Sequence, residues 1–145
     1  MIAQWDDAEQ TMIRVERAGR IYFVPDDPDN IDRQALDGVE IAPYAPPPPP
    51  VPVEISDRQF FQALAIVGLI SQADALAAVM TGALPPAFEA FVAALPAGEQ
   101  FGARMALSGA TIFRRDHPLT AAFGAASGKS PAEIDELFRL AASLT

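Results

Sequence analysis

The chain has 145 residues, a formal net charge of -9, no cysteine and a single histidine. Hydrophobic residues make up 50% and charged residues 20%, which allows a packed core and argues against disorder along the whole chain. The negative charge disfavours a nucleic-acid partner, because DNA would be repelled. The lack of cysteine excludes disulfides, thiol nucleophiles and cysteine-based zinc sites.

The sequence also disfavours two further classes of protein, membrane proteins and secreted proteins. No apolar run approaches the roughly 18 residues that a membrane-spanning helix needs, so we expect no membrane association. The first seven residues already include two aspartates, which is unlike a secretory signal, so we expect synthesis in the cytoplasm.

Residues 1–42 are predicted to form a small β-module. Residues 11–16 and 20–24 are rich in β-branched and aromatic types and flank Gly19, which favours a β-hairpin, with residues 1–5 as a possible third strand. A cluster of turn-forming residues and a short helix over residues 31–36 follow. Three short strands bury little surface, so we expect the module to need a partner surface.

Residues 43–54 are predicted to be a proline-rich linker. Five consecutive prolines, Pro46 to Pro50, exclude both a helix and a central strand and favour polyproline II, about 3.1 Å per residue. The alternative is a ligand motif for an SH3-type or WW-type domain, but no basic residue flanks the run, so we interpret it as a spacer.

Residues 55–145 are predicted to form a compact all-α bundle of five or six short helices. Ser56 with Gln59 and Ser130 with Glu133 have the spacing of capping boxes, and Ser71 and Gly82 are typical of the two ends of a helix over residues 72–81. A further helix over about 99–113 is expected to bury four apolar side chains: Phe101, Met105, Leu107 and Ile112. The overall fold class is therefore α+β.

Catalytic and metal sites are not predicted. His117 is alone, so it supplies no metal triad, and its place before Pro118 favours a helix cap or a surface position. Arg114 and Arg115 could bind an anion, but they also suit the C-terminal end of a helix. We expect no catalytic residue, no cofactor and no bound metal.

Three weak motifs have structural alternatives that we favour. The acidic residues from Asp26 to Asp32 lack the spacing of ligands in an EF-hand loop, so we interpret them as a solvated turn. Residues 124–130 end in Gly-Lys-Ser, but a phosphate-binding loop also needs a preceding strand, and this segment follows a helix. Residues 60–80 have helix-turn-helix spacing, yet the second helix has no lysine or arginine to contact phosphates.

Two stretches carry a family resemblance. Residues 24–36, leading into residues 41–44 and the proline run, resemble a short module of small tailed-phage and prophage proteins; Asp26 stands where that module has asparagine and Asp29 where it has alanine. Residues 55–61, 106–111 and 117–118 are similar to the C-terminal region of alphaproteobacterial phage proteins. The resemblance implies a tail-fibre-associated protein of the virion, or an assembly chaperone for the fibre, and no catalytic residue.

A docking role for the N-terminal module agrees with its residues. Four aromatic side chains in a module with little core are the predicted partner contacts: Trp5, Tyr22, Phe23 and Tyr44. The expected partners are other phage tail or fibre proteins, with further copies of the chain as another possibility. A small host-directed regulator or peptide-binding domain is the remaining alternative.

Overall fold

The computed structural model describes all 145 residues as two compact units, Met1–Pro48 and Pro49–Thr145. The division falls inside the proline run, so residues 49–54, predicted as linker, belong to the C-terminal unit. Val51 packs against the core of that unit, and the Pro49 carbonyl accepts a hydrogen bond from Arg139 Nε at 2.6 Å. The prolines before this point have no regular secondary structure.

The N-terminal unit is a four-stranded sheet with one short helix. Its elements are β1 (Ile2–Trp5), β2 (Met12–Arg17), β3 (Arg20–Pro25), α1 (Ile31–Gln34) and β4 (Ile41–Ala42). The strand order is β3-β2-β1-β4, with β1 and β3 antiparallel to β2 and β4 parallel to β1. The predicted hairpin, third strand and short helix are all present, and β4 is an addition that the sequence did not predict.

The hairpin turn between β2 and β3 consists of two residues with positive φ. Ala18 has φ 51° and Gly19 has φ 73°, as a type I′ turn requires, and this turn matches the right-handed twist of the flanking strands. One face of the sheet is covered by Leu36, just after α1, which completes a small core with four strand residues: Ala3, Ile13, Val15 and Val24.

The C-terminal unit contains six helices and a two-stranded sheet. Its elements are β5 (Glu54–Ser56), α2 (Asp57–Ile66), α3 (Gln72–Thr81), α4 (Pro86–Ala94), α5 (Ala97–Gly109), β6 (Ile112–Arg114), α6 (Pro118–Ala126) and α7 (Pro131–Ser143). The mixed α+β class is confirmed, but the prediction that this unit is all-α was wrong. The helix predicted over residues 99–113 ends at Gly109, because the residues after it pair with β5 and place Ile55 opposite Phe113.

Capping residues define the ends of three helices in the C-terminal unit. Both predicted capping boxes are formed: Ser56 with Gln59 begins α2, and Ser130 with Glu133 begins α7. Ser71 caps α3 through the Asp74 backbone N–H, and α3 ends at Gly82 in the left-handed conformation.

The core of the C-terminal unit is dominated by phenylalanine. The Phe60 ring stacks on Phe113 at a centroid distance of 4.1 Å, and the Phe88 ring stacks on Phe123 at 4.0 Å. The two stacks meet edge to face at 6.1 Å between Phe60 and Phe88, so α2, α4, α6 and β6 share one aromatic cluster.

No single helix has both the length and the apolar composition needed to cross a membrane. The α3 and α4 helices have the required length and apolar composition only when taken together, and they are bent by 71° at the break between them.

Candidate interaction surfaces

The outer edge of β3 is a free strand edge. Because the β2–β3 turn has two residues, Arg17 and Arg20 form the backbone-bonded pair next to the turn, and the direction of the backbone groups alternates from there. The Asp26 N–H continues this pattern by donating to the Thr11 carbonyl at 2.8 Å. The N–H and C=O groups of Ile21 and Phe23 therefore point away from β2, where no strand of this unit receives them.

The side chains along this edge are mostly apolar. Ile21 is 50% exposed and Phe23 is 59% exposed, and Tyr22 between them is also exposed. Edge strands of soluble proteins are usually protected by charged residues, proline or bulges. Here only Arg20 and Pro25, at the two ends of β3, provide such protection.

The sheet register assigns the predicted aromatic contacts to two different faces. Residues opposite each other in antiparallel strands share a face. Trp5 is opposite Ile13, and Tyr22 is opposite Val15, so both lie on the face that Leu36 covers, whereas Phe23 lies on the other face with Arg14. Trp5 is partly buried and packs against the small core.

Tyr44 follows β4 and is partly buried. The chain just before it is held beside β1, since Gln4 Nε2 donates to the Pro43 carbonyl at 3.0 Å. The four predicted docking residues therefore lie in three places: Trp5 and Tyr22 on the covered face, Phe23 on the opposite face, and Tyr44 beyond β4.

The uncovered face of the sheet carries an apolar patch that the sequence analysis missed. Ile2 and Ile21 flank Glu16 in one cross-strand row, and Phe23 lies in the adjacent row beyond Arg14. We call Ile2, Ile21 and Phe23 the open-face patch; all three are at least half exposed. The alternation of Ile21 and Phe23 around Tyr22 was the signal that could have identified it, because side chains two apart in a strand share a face.

Charges are separated along β3. Arg17 and Arg20 are exposed at the hairpin tip, and Asp26, Asp27 and Asp29 follow the other end of the strand. Two of these carboxylates are engaged in local structure: Asp26 accepts from Arg33 Nε at 2.6 Å, and Asp27 Oδ1 accepts from the Asp29 backbone N–H at 2.9 Å. No group of three or more acidic or histidine side chains is arranged to hold a metal ion.

A carboxylate also organises the turn between β1 and β2. The backbone N–H and the hydroxyl of Thr11 both donate to the Asp7 carboxylate at 2.8 Å. These hydrogen bonds favour the ionised form and hold the pKa of Asp7 below its ordinary value.

His117 and the arginines beside it have structural partners. His117 Nδ1 accepts from the Leu119 backbone N–H at 3.1 Å, so this histidine caps α6, as its position before Pro118 predicted. Arg114 donates twice to Asp116 and holds the pKa of that carboxyl below its ordinary value. Arg115 Nε donates to Asp135 at 2.6 Å and so links the residue after β6 to α7.

The placement of the two arginines differs from the prediction. Arg114 is the last residue of β6, and Arg115 donates its backbone N–H to the Val53 carbonyl at 2.9 Å. Arg114 therefore ends a strand and Arg115 follows it. The alternative of a helix C-terminus was wrong, because the helix that precedes them ends at Gly109.

The Gly-Lys-Ser segment is a helix end. The Lys129 N–H donates to the Gly124 carbonyl at 2.9 Å and closes the C-terminal turn of α6, with Gly128 at φ 70°. The Lys129 Nζ lies 3.8 Å from a Glu133 carboxylate oxygen. The geometry is that of a short connection between α6 and α7.

The C-terminal unit has its own exposed apolar surface. A shallow groove of about 420 Å³ lies between α2 and α3 and is lined by Ile66, Leu76 and Val79, with Arg58 and Gln62 also contributing. Elsewhere in the unit, Phe101 is 75% exposed and Met105 is 60% exposed. The prediction that these two residues and Ile112 are buried was wrong; only Leu107 of that set is in the core.

Comparison with known proteins gives no relative. No protein-family model, no curated protein and no solved structure matches the chain.

Proposed function

We propose that the chain is a structural protein associated with a phage tail or tail fibre, which docks through its N-terminal unit and carries the C-terminal unit as a helical head. The observation that carries the docking role is the open-face patch of Ile2, Ile21 and Phe23. The phage setting rests on the resemblance of residues 24–44 and 55–118 to phage proteins. The proposal gives the chain no catalytic activity and places it in the virion after synthesis in the host cytoplasm.

The chemistry of the patch favours a protein partner. Three large apolar side chains on one face of a small sheet remove surface from water only when another apolar surface covers them. The rows also contain Arg14 and Glu16, whose charged groups lie 3.9 Å apart, so the face offers charges of both signs beside the apolar groups. Apolar groups next to polar ones are typical of the surface of a protein interface.

The proposal is tested by the protein content of purified particles. Mass spectrometry should find the wild-type chain in amounts comparable to the fibre protein. Ile2→Asp should reduce incorporation at least about tenfold, since burying an aspartate in an apolar contact costs more than about 1.4 kcal/mol. Ile112→Asp is the matched control, because Ile112 is also a half-exposed strand isoleucine but belongs to the C-terminal unit.

Each contrary outcome corrects a different part of the proposal. A wild-type chain that is absent from particles would exclude a virion component. Normal incorporation of Ile2→Asp would exclude docking through the open-face patch. Loss of both variants would indicate that the contact is not confined to the N-terminal unit.

The groove between α2 and α3 favours a second candidate, a fibre-assembly chaperone that leaves before the particle matures. An exposed apolar groove suits transient binding of a partly folded client. This candidate predicts that the chain is absent from particles but co-purifies with the fibre protein from producing cells, and that Leu76→Asp, in the groove, releases the fibre protein.

A further inference from the structure

We infer that the free edge of β3 pairs with β3 of a second copy of this chain, in an antiparallel dimer with a two-fold axis at Phe23. The inference concerns self-association and stands apart from the proposed docking role. It starts from the backbone groups of Ile21 and Phe23, which face outward from the sheet without a strand to receive them.

The sequence of β3 is complementary to itself in one antiparallel register. With Phe23 opposite Phe23 of the second copy, Tyr22 is opposite Val24, Ile21 is opposite Pro25, and Arg20 is opposite Asp26. Opposite residues share a face, so on the covered side the arginine of each copy meets the aspartate of the other. Asp26 Oδ1 already accepts from Arg33 of its own copy, so the contact across the joint uses Oδ2. The charge separation along β3 therefore becomes two oppositely charged pairs, one at each end of the joint.

This register also satisfies the backbone. The two Phe23 residues exchange N–H and C=O, and each Ile21 N–H meets the carbonyl of Pro25 in the other copy. Pro25 has no N–H to offer, and it ends the pairing at the place where β3 ends. A shift of two residues toward the hairpin tip would set Arg20 opposite Val24 and lose the charge pairing.

The dimer would join two four-stranded sheets into one continuous sheet. A two-fold axis perpendicular to the sheet leaves the uncovered faces of both copies on the same side. Ile21 and Phe23 of one copy then lie beside the same residues of the other, so the open-face patches form one apolar surface across the joint. The two Phe23 rings at the axis add a cross-strand aromatic pair.

Long-range charge opposes the pairing and sets the conditions of the test. Each copy has a formal net charge of -9, and the repulsion between copies is screened beyond about 8 Å at physiological ionic strength. Because an interface of one strand from each copy is small, we expect a reversible dimer that sedimentation detects between about 10 µM and about 1 mM.

The decisive experiment exploits the self-pairing of Phe23. Phe23→Lys and Phe23→Glu should each raise the dimer Kd by about tenfold or more, because like charges then face each other at the axis. An equal mixture of the two variants should recover dimers, since lysine then faces glutamate. Phe101→Lys, at an exposed phenylalanine of the C-terminal unit, should leave the Kd unchanged.

Three results would overturn the inference: a wild-type chain that stays monomeric at the highest concentration, charged variants at Phe23 that dimerise normally, or a mixture that does not recover dimers. Since Phe23 is more than half exposed, its variants should retain the fluorescence of Trp5, which checks that the sheet is folded. Ile2 is not on the β3 edge, so loss of dimers and loss of particle incorporation are measured with different variants.

Discussion

Gly124 of α6 packs so closely on Ile134 of α7 that a methyl group on its Cα would stand 2.9 Å from the Cδ1 and Cγ1 atoms of the isoleucine. Both residues are buried, and the isoleucine side chain would have to shift to admit the methyl group. The absence of a side chain at residue 124 is therefore what allows α6 and α7 to approach.

Gly124→Ala should destabilise the C-terminal unit, although alanine is the better helix former. We expect a loss of about 1–3 kcal/mol in the free energy of unfolding, the usual cost of overpacking. Gly102→Ala in α5 is the matched control: nothing lies within 4 Å of the added methyl group, so it should stabilise by up to about 1 kcal/mol. Denaturant unfolding followed by circular dichroism at 222 nm measures both, and equal effects would contradict the packing explanation.

The contribution of residues 49–54 can be measured with two fragments. Residues 49–145 keep the packing of Val51, the hydrogen bond from Arg139 to Pro49, and the backbone bond from Arg115 to Val53, which residues 55–145 lose. We expect both fragments to be helical and to unfold cooperatively, with the shorter one less stable by about 1–3 kcal/mol. Equal stabilities would mean that this stretch behaves as the spacer that its composition predicts.

Acid should weaken the N-terminal end of α7 in a defined pH range. The Ser130 backbone N–H donates to Glu133 Oε2 at 2.8 Å, and this bond lowers the pKa of Glu133 in the folded chain below its ordinary value of 4.5. A carboxyl whose pKa is depressed on folding stabilises the fold above its unfolded pKa. That contribution is lost as the pH falls below about 4.5 through the folded value.

Glu133→Gln removes this titration but keeps an amide oxygen that can accept the bond. The stability advantage of the wild type over this variant should therefore be largest near neutral pH and should shrink as the pH falls from 5 to about 3. Unfolding curves at several pH values measure the difference. Glu40→Gln in the N-terminal unit is the control and should leave the helical transition unchanged; an advantage of constant size for the wild type over Glu133→Gln would contradict the assignment.

The sequence predicted those elements whose ends are defined by local chemistry. The α3 helix spans the predicted residues, because the Ser71 side chain accepts the free Asp74 N–H and Gly82 adopts the left-handed conformation at no steric cost. The β2–β3 hairpin was predictable for a similar reason, since its turn needs positive φ and Gly19 provides it.

Long-range pairing and the choice of buried helix face were not predictable in this way. The residues after Gly109 have an apolar helical pattern, but they pair with β5, which is distant in sequence. On α5 the core receives Ala103 and Leu107 rather than Phe101 and Met105. Residues two apart on a helix are about 200° apart around its axis, so two apolar stripes competed, and packing selected the one with the smaller residues.

The candidate site was only partly accessible to sequence reasoning. Aromatic content identified Tyr22 and Phe23, yet it could not tell that they lie on opposite faces, because that depends on the register with Val15 and Arg14. Ile2 was missed because its role depends on β1 lying beside β2. The free edge of β3 follows from the strand order alone.

The turn between β2 and β3 offers a stabilising substitution. Ala18 has φ 51°, a conformation that costs an L-residue with a Cβ roughly 1 kcal/mol or more, whereas asparagine tolerates it and Asn-Gly is the preferred sequence of type I′ turns. Ala18→Asn should therefore stabilise the N-terminal unit by about 0.5–1 kcal/mol. The measurement is the denaturant midpoint of the fluorescence of Trp5, the only tryptophan, which packs against the core of this unit. Ala35→Asn is the matched control, because Ala35 is an exposed alanine with φ -67° and gains nothing from asparagine. If both substitutions raise the midpoint equally, strain at Ala18 is not the cause.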